Sequence, residues 1–391
     1  MSEPHLRIVN VVGCRPNFVK LAPLIVEMKK HREIRPLVVH TGQHYDGAMS
    51  DVFFRDLDLP EPDVYLNVGS GSQITQLSSI AQRFEEALRD LRPDLVVVVG
   101  DVTSTLACSL ASIKLGFPVA HVEAGLRSFD REMPEEINRV LTDAISDLLF
   151  ATEKGAVENL EREGRPRERI FLVGNVMIDT LRMSAGNVGR SAIVGRLGLA
   201  PKSYAVLTLH RPSNVDDRAA LTHLAGALEE LQRHIRVVFP IHPRTWSRME
   251  QFDIWQHVSS MPNMQIVDPL GYVDFIRLVR DSLFVLTDSG GVQEESTALG
   301  IPCLTLRENT ERPVTVTEGT NRLVGKNRER ILSEGLRIIG GERPPGRIPE
   351  YWDGFAAQRI VQALLANKKE IKNFYRSVRE RELCQKAASR A

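Results

Sequence analysis

Short apolar runs alternate with helix-like stretches along most of the chain. They cover residues 6–12, 37–40, 95–99, 119–122, 147–151 and 170–173 in the first half, then 204–209, 237–239, 264–267, 283–286 and 303–306. Strands that are apolar throughout and separated by helices are typical of parallel sheets covered on both faces. The pattern occurs twice, around a weak break near residues 175–200. It therefore predicts two Rossmann-like domains with ligands at the carboxyl ends of the strands, in a cleft between the domains.

One strand of the second half leads into a glycine-rich turn. Ser289, Gly290 and Gly291 follow the run at 283–286, and a helical stretch comes next. Backbone N–H groups at a helix N-terminus have no partner within the helix, and the helix dipole adds positive potential there. Glycines let an anion approach closely, so the turn suits a phosphate or diphosphate. A turn without a ligand also fits, because short glycine motifs are weak signals. Glu295 either complements the dipole or reaches a sugar hydroxyl.

Charged residues follow the predicted strands of the first half. They are Arg15, Lys20, Asp101, Glu123 and Glu135. We expect the three carboxylates at the carboxyl edge of one sheet, where their proximity pushes their pKa values apart. One can then act as a base and another as an acid. Simpler interpretations remain open: a solvated Arg15, a helix N-cap at Asp101, and an i,i+4 ion pair between Glu135 and Arg139.

Histidines end two strands of the second half. His210 binds phosphate, relays a proton or is structural, and His242 occupies a similar position. Gln43 and His44 lie after the run at 37–40, where they contact a ligand or form an ordinary loop. No His, Asp or Cys cluster has metal spacing. We therefore predict no metal and expect cationic side chains and helix dipoles to hold the anion.

Composition narrows the class of protein. The chain has 391 residues, enough for two domains, with 50 Lys+Arg against 50 Asp+Glu. A net charge of zero lacks the excess of basic residues that is typical of nucleic-acid-binding proteins. No apolar run reaches transmembrane length, and the first residues lack the apolar region of a signal peptide. Four scattered cysteines fit a reducing compartment. We expect a cytoplasmic protein without membrane or nucleic-acid partners.

Taken together, the motifs resemble those of the UDP-N-acetylglucosamine 2-epimerase family. The matching segments are Gly13-Cys14-Arg15-Pro16 with Lys20, Thr41-Gly42-Gln43-His44, Gly100-Asp101, His121-Val122-Glu123-Ala124-Gly125-Leu126-Arg127, Pro134-Glu135-Glu136-Ile137-Asn138-Arg139, Leu209-His210-Arg211, Ser289-Gly290-Gly291-Val292-Gln293-Glu294-Glu295 and Thr310-Glu311-Arg312-Pro313. The resemblance covers nearly the whole chain. It implies a GT-B-type α/β fold. Residues 1–175 with a returning C-terminal helix at 360–391 form the sugar and acid/base domain, and residues 176–359 form the UDP-binding domain.

The resemblance also implies residue roles. The diphosphate is held by Arg15, His210, Ser289, Gly290 and Gly291, the ribose hydroxyls by Glu295, and the uracil lies near Phe275. The region that binds the sugar and carries out the reaction contains Lys20, Asp101, Glu123, Glu135, Arg139 and Arg312. His210 is a further catalytic candidate. A regulatory second UDP-GlcNAc site would use Gln43, His44, Glu136 and His242. Asp46 and the segment His210-Arg211-Pro212-Ser213-Asn214 depart from some relatives, which leaves activation by substrate open.

The reaction that the resemblance implies is inversion at C2 of UDP-GlcNAc to UDP-ManNAc, for surface polysaccharide precursors. Non-hydrolysing members use no redox cofactor. They eliminate UDP to a 2-acetamidoglucal and add it back after protonation on the other face. A homodimer is common in the family. Alternatives are a hydrolysing epimerase, an epimerase of a UDP-diacetamido-uronic acid, a GT-B glycosyltransferase and a silent UDP-sugar-binding protein.

Overall fold

The computed structural model describes residues 5–13, 15–42, 60–69, 71–343 and 345–375. Its contacts divide the chain into two compact units. Unit 1 comprises residues 1–183 and 350–391, and unit 2 comprises residues 184–349. Each unit contains one sheet, of seven strands in unit 1 and six in unit 2. No helix in the described ranges is both long and apolar enough to cross a membrane.

The sheet of unit 1 has the strand order β3-β2-β1-β4-β5-β6-β7, with parallel pairing throughout. The strands are Leu6–Val12 (β1), Ile34–His40 (β2), Val64–Tyr65 (β3), Leu95–Val99 (β4), Val119–Ala124 (β5), Leu148–Ala151 (β6) and Ile170–Leu172 (β7). The helices are Arg15–Met28 (α1), Gln73–Leu91 (α2), Thr103–Lys114 (α3), Pro134–Ile145 (α4), Lys154–Arg162 (α5) and Val176–Arg190 (α6), with a 3₁₀ turn at Arg167–Arg169.

The sheet of unit 2 has the order β10-β9-β8-β11-β12-β13, also parallel. Its strands are Tyr204–Thr208 (β8), Arg236–Pro240 (β9), Met264–Val267 (β10), Phe284–Thr287 (β11), Cys303–Thr305 (β12) and Asn321–Leu323 (β13). Its helices are Ile193–Arg196 (α7), Pro212–Val215 (α8), Arg218–Leu231 (α9), Pro243–Gln251 (α10), Trp255–Ser259 (α11), Tyr272–Asp281 (α12), Gly290–Ala298 (α13), Val314–Thr317 (α14) and Arg328–Ile339 (α15). Two last helices, Ala356–Ala366 (α16) and Lys368–Asn373 (α17), belong to unit 1.

The central strands are apolar throughout because both faces of each sheet are covered. In unit 2, Leu207 and Leu286 contribute to one buried cluster, while Val206 and Val285 contribute to another. Successive side chains of a strand point to opposite faces, so each strand needs apolar residues at every position. This explains the continuous apolar runs and confirms the prediction of two parallel-sheet domains.

The two units divide between residues 183 and 184, inside the region 175–200, and a continuous helix crosses this point. Helix α6 begins on unit 1, where Thr180 donates a hydrogen bond to Val19 O, and ends on unit 2, where Arg277 donates to Gly189 O. Its glycines and serines lie in a continuous helix of 15 residues. The units therefore divide within this helix, later than the position 175 expected from the sequence.

The C-terminal segment packs on unit 1 through its apolar side chains. Ile360, Leu364 and Ile371 are fully buried, as their helical spacing predicts. Asp179 accepts hydrogen bonds from Ala356 N and Ala357 N at 3.1 and 2.8 Å and so fixes the start of α16. The segment that returns to unit 1 begins at residue 350, ten residues before the expected position 360.

Candidate active site

Each sheet brings predicted site residues to the point where its strand order reverses. In unit 1 this point lies between β1 and β4, and in unit 2 between β8 and β11. The carboxyl ends of such strands form the usual ligand crevice of an open parallel sheet. Lys20 and Asp101 follow β1 and β4, while His210 and Ser289 follow β8 and β11. The two units therefore offer one candidate site region each.

Lys20 and Glu123 form a buried ion pair in unit 1. Lys20 Nζ lies 2.5 Å from Glu123 Oε2, and the two side chains are 8% and 2% exposed. The other carboxylate oxygen of Glu123, Oε1, is buried and has no hydrogen-bond partner among the described residues. Such an oxygen costs free energy unless a bound molecule supplies a donor. Glu123 is thus fixed through one oxygen, while the other is buried without a partner among the described residues.

The backbone beside this pair adopts unusual conformations. Glu123 has a φ of 73°, and the register of β5 against β6 shifts between Val122 and Ala124. Bulges of this kind re-aim a side chain and recur next to active sites, where surrounding contacts maintain the strain. Gly100 has a φ of 71°, and a Cβ there would lie 3.2 Å from Lys20 Nζ and 3.3 Å from Glu123 Oε2. Gly100 therefore leaves room for the ion pair.

Asp101 is held by a guanidinium from α4. Arg139 NH2 lies 2.5 Å from Asp101 Oδ2, and NH1 of the same side chain donates to Glu136. The Asp101 side chain remains 24% exposed, whereas that of Arg139 is 2% exposed. Arg139 therefore bridges two carboxylates and fixes Asp101 while leaving it accessible. Glu135 lies in the first turn of the same helix and is half-buried.

Glu136 holds the loop that follows β5. Its carboxylate accepts hydrogen bonds from Ser128 N, Ser128 Oγ and Phe129 N at 2.9, 2.8 and 2.9 Å, in addition to that from Arg139. Glu136 is only 3% exposed. These contacts give it a structural task in this loop, and its predicted regulatory role remains a prediction.

A buried histidine connects β5 to β4 and α4. His121 Nδ1 lies 2.6 Å from Asp143 Oδ1, and His121 Nε2 lies 2.8 Å from Gly100 O. Gly125 N and the guanidinium of Arg127 also contact Asp143, at 3.0 and 2.7 Å. Burial acts to raise the pKa of Asp143, but His121 and Arg127 outweigh it and hold this pKa below its usual value. The network fixes the Gly100 peptide next to the Lys20–Glu123 pair.

In unit 2, the glycine turn lies at the start of α13. Ser289 precedes the helix with φ −81° and ψ 130°, and its side chain does not cap the helix. A Cβ on Gly290 would lie 2.7 Å from Glu311 Oε1 and 2.8 Å from Arg312 NH1. The helix N-terminus and a guanidinium therefore meet at this glycine. Both features favour a phosphate group.

Three arginines and two glutamates form a buried network beside the turn. Arg312 lies 2.7 Å from Glu294 and 2.6 Å from Glu311, and Arg307 lies 2.7 Å from Glu311. Arg211 NH2 is 3.7 Å from Glu311 Oε1. Burial acts to raise the pKa of Glu311, but the charges of Arg312 and Arg307 hold it well below its usual value. With both glutamates ionised, the network carries one excess positive charge.

Two further predicted site residues of unit 2 are Glu295, which is buried, and Phe275, which is half-buried. Burial, followed by the charge of Glu294, raises the pKa of Glu295 to about 8. A protonated carboxyl both donates and accepts hydrogen bonds, which suits neighbouring hydroxyl groups. Phe275 is half-buried and packs against the apolar cluster that contains Val206 and Val285.

His210 is held by an aspartate that the sequence analysis does not single out. His210 Nδ1 lies 3.0 Å from Asp288 Oδ1, and Arg211 N donates to Asp288 Oδ2 at 2.9 Å. Burial acts to raise the pKa of Asp288, but its contacts with His210 and Arg211 hold it below its usual value. The His210 side chain is 36% exposed, and its ring lies 5.7 Å from that of His242.

Similar proteins share this architecture over most of the chain. The sequence model of the UDP-N-acetylglucosamine 2-epimerase family matches residues 26–365. A UDP-N-acetylglucosamine 2-epimerase homolog of Methanococcus maripaludis is 44% identical, covering 92% of this chain and 99% of that protein. The chain belongs to the UDP-N-acetylglucosamine 2-epimerase family. The resemblance seen in the sequence is thereby confirmed, and the protein is an enzyme of the isomerase class.

Two further relatives show the range of this epimerase family. The UDP-2,3-diacetamido-2,3-dideoxy-D-glucuronate 2-epimerase of Pseudomonas aeruginosa is 39% identical, over 92% of this chain and 99% of that protein. A crystal structure of the Methanocaldococcus jannaschii UDP-GlcNAc 2-epimerase, in complex with UDP-GlcNAc and UDP, has a TM-score of 0.87 and 40% identity. It covers 92% of this chain and 99% of that one. The GT-B-type fold class is confirmed.

Some of the predicted site residues lie outside the part of the chain that the structure describes. Gln43, His44 and Asp46 are among them, and so is the side chain of Arg15, whose backbone begins α1. Their roles remain predictions. In the part of the chain that the structure describes, no group of three or more His, Cys, Asp or Glu side chains is placed to hold a metal ion.

Three residues escaped the sequence analysis as individual candidates. Asp288 directly follows the apolar strand β11, His121 lies within β5, and Asp143 lies on α4. All three are completely buried. Charged or titratable residues at such positions are costly unless they are paired, and this was the available signal. Their partners could not be named because they lie 16 to 78 residues away along the chain.

Proposed function

We propose that this enzyme interconverts UDP-GlcNAc and UDP-ManNAc by inverting C2 without a redox cofactor. The observation that carries the proposal is the buried Lys20–Glu123 pair, whose Glu123 Oε1 has no partner among the described residues, beside the accessible carboxylate of Asp101. The substrate is supported by the Methanocaldococcus jannaschii relative, which is in complex with UDP-GlcNAc and UDP.

The chemistry requires groups that remove and deliver a proton. The C2 proton is weakly acidic, so the departure of UDP must assist its removal. A carboxylate takes this proton, the C–H electron pair forms the C1=C2 bond, and the C1–O bond breaks with its electrons remaining on UDP. The products are a 2-acetamidoglucal and UDP. Protonation of C2 on the opposite face, with return of the UDP oxygen to C1, gives the epimer.

Inversion favours two proton-transfer groups, one for each face of the sugar. The proposed candidates are Asp101, Glu123 and Glu135, and the assignment of base and acid among them is left to experiment. Lys20 fixes one oxygen of Glu123, and Arg139 fixes one oxygen of Asp101. Carboxylates held in place before reaction also stabilise positive charge that develops on the sugar ring.

Unit 2 is proposed to hold the leaving group. The turn Ser289-Gly290-Gly291, together with Arg312 and His210, supplies N–H groups and cations for the diphosphate. Arg15 is proposed to add a further cation. Glu295 would bind the ribose hydroxyls, and Phe275 would lie near the uracil. Exclusion of water during the reaction protects the glycal intermediate from side reactions.

A second candidate substrate is a UDP-diacetamido-uronic acid. It is favoured by the 39% identity to the Pseudomonas aeruginosa enzyme. A uronic acid carries a carboxylate that needs a cation of its own. Lys20 and Arg139 are already paired with carboxylates of the protein. This pairing favours the uncharged sugar of UDP-GlcNAc as the substrate.

The test is incubation with UDP-GlcNAc in D2O, followed by NMR, with the uronic acid UDP-sugar in a parallel sample. The Glu123→Gln variant serves as the inactive control. We expect an equilibrium with UDP-ManNAc that carries deuterium at C2. Release of free ManNAc would indicate a hydrolysing epimerase, and conversion of the uronic acid alone would indicate the second substrate. No conversion without an acceptor would refute epimerisation and favour a glycosyltransferase or a silent binding protein.

The cellular setting belongs to the same proposal. We place the enzyme in the cytoplasm as a homodimer that supplies UDP-ManNAc for surface polysaccharide precursors, without membrane or nucleic-acid partners. Light scattering should give twice the mass of the chain. A regulatory UDP-GlcNAc site at Gln43, His44, Glu136 and His242 predicts that traces of UDP-GlcNAc accelerate the reverse reaction from UDP-ManNAc. A reverse rate independent of added UDP-GlcNAc would contradict this site.

A further inference from the structure

Asp288 joins the two strand ends of the unit 2 site. It directly follows β11 and immediately precedes the Ser289 turn, yet its hydrogen bonds go to the segment that follows β8. His210 N and Arg211 N donate to its Oδ2 at 3.0 and 2.9 Å, and Asn214 Nδ2 donates at 3.1 Å. The carboxylate is completely buried. It therefore fixes the His210 segment against the glycine turn.

The same carboxylate also faces the imidazole of His210. Asp288 Oδ1 lies 3.0 Å from His210 Nδ1. A carboxylate accepts hydrogen bonds and cannot donate them, so this contact requires the proton on Nδ1. The other ring nitrogen, Nε2, is then left for a ligand, and the side chain is 36% exposed. Among the described residues, the neighbours of His210 include His242, whose ring lies 5.7 Å away, and Arg211, which contacts Glu311.

We propose that Asp288 is a positioning residue that keeps a proton on His210 Nδ1, so that Nε2 is the nitrogen that gives a proton to the departing diphosphate and takes it back. This inference rests on the proposed function. In the reacting complex the ring is the imidazolium, with Nδ1–H directed at Asp288 and a second proton on Nε2. As the C1–O bond breaks, its electron pair remains on the diphosphate oxygen, and that oxygen takes the proton from Nε2. His210 is left neutral with its Nδ1–H directed at Asp288. When UDP returns to C1, the proton goes back to Nε2, so the cycle consumes no proton.

The test combines histidine NMR with kinetics on Asp288→Asn. Long-range ¹H–¹⁵N spectra of histidine-labelled protein distinguish the Nδ1–H form from the Nε2–H form, and His210→Asn assigns the signal. We expect the neutral ring of the free wild-type enzyme, in spectra recorded at a pH where it has lost one proton, to carry its remaining proton on Nδ1. In Asp288→Asn the amide donates to Nδ1, which switches the ring to Nε2–H. We expect kcat to fall about a hundredfold or more, with a smaller change in UDP affinity.

The matched control is Asn214→Ala. It removes one hydrogen bond from Asp288 and leaves the contact with His210 intact, so the tautomer and kcat should be kept while Tm falls. An Nε2–H ring in the wild type, or normal turnover in Asp288→Asn, would overturn the positioning role. The tautomer of His210 in the wild type tests the positioning role of Asp288 even if the Asp288→Asn variant does not fold. If the wild type fails to epimerise UDP-GlcNAc but His210 is Nδ1–H, the proposed function falls and the positioning of the ring by Asp288 stands.

Discussion

The buried pair of Lys20 and Glu123 makes a prediction that separates stability from chemistry. Lys20→Met removes the cation and leaves a buried carboxylate without its partner. Glu123→Gln removes the anion and leaves a buried ammonium group. We expect each single variant to be strongly destabilised, and the double variant to regain much of the lost stability. The two single variants and the double variant should all be inactive, because each lacks either the Glu123 carboxylate or the Lys20 contact that fixes it.

The size of the effect follows from the geometry. At a separation of 2.5 Å, the attraction is about 7 kcal/mol for an effective dielectric constant of about 20. Removal of two nearly buried charges from water costs several kcal/mol per ion, so the intact pair contributes little net stability. Loss of one partner should cost about 3–5 kcal/mol. The double variant loses both charges together. For it to be more stable than either single variant, the coupling energy must exceed the cost of one unpaired charge, about 3–5 kcal/mol.

The assay needs a signal from unit 1 alone, because a chain of two units can unfold in more than one step. Trp352 lies in unit 1 and is 2% exposed, whereas Trp246 and Trp255 lie in unit 2. A background with Trp246→Phe and Trp255→Phe therefore reports urea unfolding of unit 1 through Trp352. If the two substitutions add within about 0.5 kcal/mol in this background, the side chains do not interact and the reasoning fails.

Three further predictions concern residues around the two site regions. Gly290→Ala should weaken UDP binding at least tenfold by calorimetry, because the new Cβ would lie 2.7 Å from Glu311 Oε1, whereas Gly189→Ala, with open space around it, should bind normally. Glu295 has a pKa of about 8 in the folded protein, above the usual glutamate value of 4.5. Its contribution to the free energy of unfolding is therefore fully present below pH 4.5 and is lost as the pH rises to about 8. Glu295→Gln should flatten urea stability over that range, and an unchanged pH dependence would contradict the assignment. His121→Asn should lower kcat more than UDP affinity, because it frees the Gly100 peptide, and normal turnover would exclude this role.

Much of the fold was readable because the central strands carry strong signals. Strands β1, β4, β8 and β11 are buried on both faces and appear as continuous apolar runs. The edge strand β3 has only two residues, and β13 has the sequence Asn321-Arg322-Leu323, so neither forms an apolar run in the sequence. The glycines and serines of α6 indicate the division between the units, but their low helix propensity hides the helix itself, which packing at its two ends keeps continuous.

The sequence predicted individual residues of the candidate site but not the contacts between them. Polar residues that follow apolar strands could be found from the sequence, and Lys20, Asp101 and Glu123 are examples. Their partners could not, because Lys20 and Glu123 are 103 residues apart and the sheet order brings them together. The left-handed backbone of Glu123 was equally hidden, since nothing in the residue type predicts it. Local spacing suggested an ion pair of Arg139 with Glu135, but it could not point to the contact of the Arg139 guanidinium with Asp101, which lies 38 residues away along the chain.

The charges of the two units differ in a way that fits the proposed reaction. In unit 1, Lys20 and Arg139 stand against the carboxylates of Asp101, Glu123 and Glu136. Full ionisation leaves an excess negative charge, which positive charge developing on the sugar ring would balance.

In unit 2, three arginines stand against Glu294 and Glu311, which leaves an excess positive charge beside the N-terminus of α13. That sign suits a leaving diphosphate. Charges fixed before the reaction need no reorganisation when the C1–O bond breaks, so under the proposed function each unit would stabilise one product of that charge separation. A glycosyl transfer separates the same charges. The choice of epimerisation therefore rests on the proton acceptors of unit 1, and substitution of these carboxylates should abolish deuterium exchange at C2 while UDP binding persists.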